Sequence, residues 1–215
     1  MTGITYTLGR ALYVALTNRS NACTLIASRG PGFIVPPASG FAPLQNDPGA
    51  PEVIEEVLKA LDSASAPSEL CFAGVGEPLL RLRTLQEVAA GIKAQKPDLR
   101  MRINTNGLMP SSEAAGVAAQ LKKCGVSAAC VALASSDAAQ YETLMQPEKL
   151  RYSPVMELPL GLKEVTAFTK ACVETGLEVE CTAVEAPGVD IEAARLLAES
   201  LGASFRARTW HPAKG

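Results

Sequence analysis

Short apolar, β-rich runs alternate along this chain with stretches whose apolar residues recur at helical spacing. That alternation constrains the fold more than any other feature. The runs are Leu12–Thr17, Leu70–Ala73, Leu99–Ile103, Ala128–Leu133, Glu178–Val184 and Ser204–Ala207. Between them the spacing predicts helices over Pro51–Ser63, Thr84–Gln95, Ser111 to Cys124, Ala138–Met145, Leu162–Thr175 and Asp190–Leu201. In the first helix Val53, Val57, Leu58 and Leu61 share one face, and Pro51 suits the first helical position. Ser111 or Ser112 and Asp190 are the expected caps, with Gly125, Gly176 and Gly202 past the helix ends. Alternation of this kind implies a parallel sheet with right-handed crossovers. Near-continuous apolar strands imply a sheet covered on both faces. The expected fold class is α/β, and periodicity leaves open whether the sheet is flat or curled.

In such a fold the strand ends carry the site, on one rim. The turns there are Asn18-Arg19, Gly76-Glu77, Asn104–Asn106, Ser135–Asp137 and Glu185–Gly188. The most informative is Gly74-Val-Gly-Glu-Pro-Leu-Leu-Arg81, which follows the apolar run Leu70–Ala73. Its glycines allow a tight turn or close backbone approach, and Pro78 stiffens the exit. Glu77 is either a site carboxylate held by that turn or a solvated residue of an ordinary strand-to-helix connection. Residues 18–50 are rich in Gly, Pro, Ser and Asn, a connection of a length that is usually functional or mobile.

With 215 residues, 47% of them hydrophobic, the chain fits one domain over 1–215 with a sizeable core. A net charge of -2 and 5% aromatics argue against nucleic acid as a partner and against an anionic membrane surface. No apolar run reaches the ~20 residues of a membrane span, and Met1-Thr-Gly-Ile-Thr-Tyr lacks the pattern of a secretory signal. The six cysteines form no Cys-x-x-Cys pair and lie mostly in apolar runs. That usage points to a reducing compartment, the cytoplasm or an organellar stroma or matrix.

Three blocks together resemble radical S-adenosylmethionine (SAM) proteins, in particular the group associated with TatD-type nucleases. They are Gly74–Arg81, Asn104-Thr-Asn-Gly107 and Thr182-Ala-Val-Glu-Ala-Pro-Gly-Val-Asp-Ile-Glu192, with Leu12–Arg19 resembling the group's first strand. The resemblance implies a partial (βα)6 barrel of the TIM type. It implies SAM as cofactor, with Gly74, Gly76, Glu77 and Pro78 beside its amino group. Asn104 and Asn106 would lie near the ribose or substrate, and Val184 would flank the adenine. Ala132 and Ala134 stand where the group often has Ser and Asn, which thins the ribose contacts.

The family's chemistry uses three thiolates, Cys-x3-Cys-x2-Cys, after the first strand, to hold a four-iron, four-sulfur cluster. Here Ser20, Thr24 and Ala27 occupy those positions without a gap; with a one-residue shift, Cys23 takes the second and Ile26 the third. Cys23 is thus the sole metal-ligand candidate in the loop, and the cluster is expected to be absent. Cys71, Cys130, Cys172 and Cys181 read as packing residues, Cys124 sits at a helix end, and His211 lies near the tail. The first reading is a radical-SAM-like barrel without cluster or radical chemistry that still binds SAM or a related small molecule at its rim. Loop 18–50 would then be open to serve a protein partner. The alternative is an active radical SAM enzyme with an unusual iron–sulfur site. A third reading, an unrelated α/β-barrel enzyme using Glu77 or Asp137 as general acid–base, has the least support.

Overall fold

The computed structural model describes residues 3–62, 67–148, 150–153, 156–158 and 160–213, and of 150–153 and 156–158 the backbone alone. The strands are β1 Thr5–Leu8, β2 Ala11–Val14, β3 Glu69–Phe72, β4 Arg100–Thr105, β5 Ala128–Ala132, β6 Leu150–Ser153, β7 Met156–Leu158, β8 Glu178–Val184 and β9 Ser204–Arg208. The helices are α1 Ala50–Leu61, α2 Leu82–Gln95, α3 Ser111–Lys123, α4 Ala138–Met145, α5 Leu162–Glu174 and α6 Ile191–Ser200. Seven strands form one sheet in the order β1-β2-β3-β4-β5-β8-β9. The pairs β2–β3, β3–β4 and β8–β9 are parallel, as the alternation implies, giving the α/β fold.

All six expected strands and all six expected helices are present; Glu178–Val184 and Ala138–Met145 match at both ends, and the others are shifted at one end or both. The expected end of the first helix, Ser63, lies outside the described residues. Two features were not anticipated: β1, antiparallel to β2 through a turn at Gly9-Arg10, and the antiparallel pair β6–β7. The expected first strand runs too far, because β2 ends at Val14. Beyond it the backbone serves the site instead: the Leu16 carbonyl accepts from Arg81 and the Thr17 carbonyl from the Gly76 N–H. Asn104, expected in a turn, lies within β4.

Two compact units divide the chain. The first comprises Met1–Ser20, Ile34–Thr105 and Gln120–Ala129; the second comprises Asn21–Phe33, Asn106–Ala119 and Cys130–Gly215. In the first, strand pleating puts Leu70 and Phe72 on one face of β3, and Met101 and Ile103 on the matching face of β4. These residues are fully buried, as are Val53 and Val57 of α1 and Leu85, Val88 and Ile92 of α2. Each such side chain contributes about 1.5–3 kcal/mol. On the opposite face Tyr13, Cys71 and Arg102 stand in register. In the second unit Phe168 and Cys172 of α5, Ala194 and Ala198 of α6, and Cys181 of β8 are buried. Asp190 caps α6 as expected, its Oδ1 accepting from the Ala193 N–H.

Candidate ligand site

The turn after β3 is the most constrained backbone of the first unit. A Cβ on Gly76 would lie 2.3 Å from the Arg19 carbonyl oxygen and 2.5 Å from that of Thr17, so only glycine fits. The two segments are joined there by the Gly76 N–H to the Thr17 carbonyl at 3.2 Å and the Glu77 N–H to the Arg19 carbonyl at 2.8 Å. A Cβ on Gly74 would lie 2.8 Å from Ala15 Cβ. The glycines thus let the turn lie flat along the chain that leaves β2.

Glu77 is not a solvated residue. It is 3% exposed, and its Oε1 accepts from the Leu79 N–H at 3.0 Å and from Thr105 Oγ1 at 2.7 Å. The first bond makes it the cap of a 3-10 turn, Pro78–Arg81, with Pro78 at the first position. The second ties the turn to the end of β4. Thr105 was missed in the sequence, although it stands between the two singled-out asparagines. Arg81 was also missed. Its guanidinium donates to the carbonyls of Leu16 and Pro48 and to Thr84 Oγ1, and pairs with Asp47 at 3.2 Å. It therefore fastens residues 47–48 to the base of the same turn.

Asn104 points to the polar face of β4, where its Oδ1 accepts from Arg102. Arg102 also donates to Tyr13 Oη at 3.0 Å and to Glu69 Oε2 at 2.7 Å. In this unit the structure thus brings together Gly74, Gly76, Glu77, Pro78 and the end of β4 that carries Asn104.

The remaining candidates lie in the second unit. Asn106 is 2% exposed; its amide donates to Asn21 Oδ1 at 2.8 Å and its Oδ1 accepts from the Leu108 N–H. Asn21 in turn donates to the Leu108 carbonyl, so the two asparagines brace one turn. Val184 ends β8 and pairs in register with Arg208 of β9. Ala134 has φ 59°, the left-handed region in which Asn and Gly are at ease and Ala is strained. Asp137 caps α4 through the Gln140 N–H at 2.7 Å, a structural use rather than an acid–base one.

The loop that holds Cys23 is built without any thiolate bond. Thr24 Oγ1 accepts from the N–H of Ala27, the first residue of a 3-10 turn, Ala27–Arg29. The Cys23 N–H donates to the Met145 carbonyl, and the Asn21 carbonyl accepts from the Glu148 N–H. The other side of the loop is zipped to the tail: His211 N–H to the Arg29 carbonyl, Gly32 N–H to the His211 carbonyl. Burial pushes the Cys23 thiol pKa up. Cys71, Cys130, Cys172 and Cys181 are buried and every cysteine is a free thiol. Among the described residues no three His, Cys, Asp or Glu side chains come together to hold a metal ion. The side chains present do not fit a three-thiolate cluster.

A solved structure from Streptococcus suis, SuiB bound to S-adenosylmethionine, is similar to the chain over 96% of its length with a TM-score of 0.65. A second, the radical S-adenosylmethionine methyltransferase TsrM from Kitasatospora setae, covers 94% of it at 0.57. The fold is that of the radical SAM proteins. Sequence identity to each of these is 13%, and the chain spans 40% and 36% of their lengths. Among curated proteins, the GTP 3',8-cyclase of Mycolicibacterium smegmatis is 31% identical in an alignment of 196 positions that covers 80% of this chain and 50% of that protein. The chain therefore spans about half the length of that relative. No family model matches it. No helix among the described residues is long and apolar enough to cross a membrane.

Proposed function

We propose that this chain is a radical SAM-like protein, of the group resembling the TatD-associated proteins, that works without the iron–sulfur cluster. It keeps a site for SAM or a related small molecule. The observation that carries this reading is the Cys23 loop. Backbone bonds to Met145, Glu148 and His211 hold it in place, and a 3-10 turn, Ala27–Arg29, with Thr24 Oγ1 accepting from the Ala27 N–H, occupies the stretch where three thiolates would stand. The ligand side is supported by the turn at Gly74, Gly76, Glu77 and Pro78, which Thr105 and Arg81 fix in place. Its carbonyls would receive the SAM ammonium, and Asn104 would lie near the ribose or substrate. Loop 18–50 offers a protein partner a surface. No feature of the charge pattern favours nucleic acid or a membrane.

The 31% identity to a GTP 3',8-cyclase favours a second reading, an active radical SAM enzyme with an unusual cluster site. Reconstitution with iron and sulfide in the absence of oxygen separates the two. On the first reading iron stays well below four per chain, SAM binds in a calorimeter, and no 5′-deoxyadenosine forms after reduction. A stoichiometric cluster with its visible charge-transfer band, together with 5′-deoxyadenosine, would establish the second.

A further inference from the structure

The side chains where the Cys23 loop meets β9 carry a charge pattern that the proposed SAM site does not use. Arg29, Arg206 and Arg208 gather there with His211. Arg206 is neutralised by Glu180, and Cys130 bridges Glu180 to Arg208: its Sγ lies 3.5 Å from Glu180 Oε1 and 3.3 Å from Arg208 Nη2. Arg29 is held in a fixed pose, with Nε donating to the Thr209 carbonyl at 3.2 Å, Nη2 3.5 Å from His211 Nε2, and the guanidinium 4.6 Å from the centre of the Phe33 ring. Among the described residues neither Arg29 nor Arg208 has a carboxylate partner. Both are half-buried.

Burial and the nearby charges of Arg208 and Arg206 together pull the Arg29 pKa down. With Arg206 and Glu180 cancelling, Arg29 and Arg208 leave two positive charges on planar, multi-donor groups. A carboxylate would offset one of them. A phosphate carries close to two negative charges at neutral pH and accepts from a pair of guanidinium forks. The backbone also fixes the geometry: a Cβ on Gly30 would lie 2.4 Å from the His211 carbonyl oxygen, and one on Gly32 would lie 2.0 Å from that of Pro212. The segment carrying Arg29 is thus pinned against the segment that follows Arg208.

We infer that Arg29 and Arg208, flanked by His211, form a binding site for the phosphate group of a small molecule. The inference stands whether or not SAM binds. It is tested with inorganic phosphate as the probe, by calorimetry and by ³¹P line broadening at constant ionic strength, with acetate and chloride as competing anions. The expected result is saturable phosphate binding that acetate does not match. Arg29→Gln and Arg208→Gln should each weaken it about tenfold, the effect of losing a charge-assisted hydrogen bond. Near-UV circular dichroism identifies a variant that misfolds, and the other then decides the outcome. Unsaturable binding, equal affinity for acetate, or unchanged affinity in a folded variant would overturn the proposal.

Discussion

Ala134 is the residue at which local sequence and tertiary demand disagree most plainly. Its φ of 59° is imposed from outside, since its N–H is drawn to the Thr182 carbonyl at 3.1 Å on neighbouring β8. An alanine pays roughly 1–2 kcal/mol for that conformation, and glycine recovers most of it less its larger entropy loss of about 0.5–1 kcal/mol. Ala134→Gly is therefore expected to stabilise the protein by about 0.5–1 kcal/mol, read as a rise in urea midpoint at constant m-value. A fall in the midpoint would mean that the Ala134 methyl group has a packing role. Glu77 teaches the complementary lesson. The pattern Gly-x-Gly-Glu-Pro marked it as special, but its partner Thr105 could not be read from spacing. The bond joins residues 28 positions apart, on two adjacent strands' ends.

At the scale of elements, residues 18–50 matter most. The composition suggested a long irregular connection. The structure gives it two 3-10 turns, Ala27–Arg29 and Pro37–Ser39, and fastenings at both ends. Asn18 exchanges hydrogen bonds with Leu44, and Phe41 packs edge-on against Tyr6 at 5.1 Å. Arg81 holds the Pro48 end, so Arg81→Ala should cost about 1.5–3 kcal/mol, because it removes charge-assisted bonds to half-buried carbonyls. The same variant should speed proteolysis within 34–48, a local opening. Proteolysis at the parental rate would show that the anchor is elsewhere. β1 escaped the sequence reading because four residues, Thr5-Tyr-Thr-Leu, are too few for alternation to stand out. Gly9, with φ 60°, was the available sign of its hairpin.

Over the whole molecule four of the six cysteines are buried core thiols. Burial raises Cys172 and Cys181 from 9.0 to about 12, and each feels a neighbouring cysteine. A thiol whose folded pKa is raised binds its proton more tightly when folded. Its contribution to stability is complete below pH 9 and is lost as pH rises from there through about 12. Urea midpoints are accordingly expected to hold up to pH 9 and to fall between pH 9 and 12. Replacing both thiols with alanine should flatten this decline. An unchanged decline in the double variant would assign it to other groups. At pH 8, a thiol reagent should reach Cys23 and Cys124, which are half-buried, well before the four buried cysteines.

The sequence by itself determined the alternation of six strands, β2, β3, β4, β5, β8 and β9, with six helices, and the parallel pairing of β2–β3, β3–β4 and β8–β9. Apolar periodicity and helix punctuation are local properties, and chain handedness leaves few ways to connect them. It also showed a single cysteine in the loop after the first strand, which is visible as a letter. Only the tertiary structure decided how that loop is held. The bonds that hold the Cys23 loop to Met145 and His211, the burial of Glu77 against Thr105, and the meeting of Arg29 with Arg208 all join residues far apart in the chain. Their partners are chosen by packing in three dimensions, and no spacing along one strand or helix encodes them.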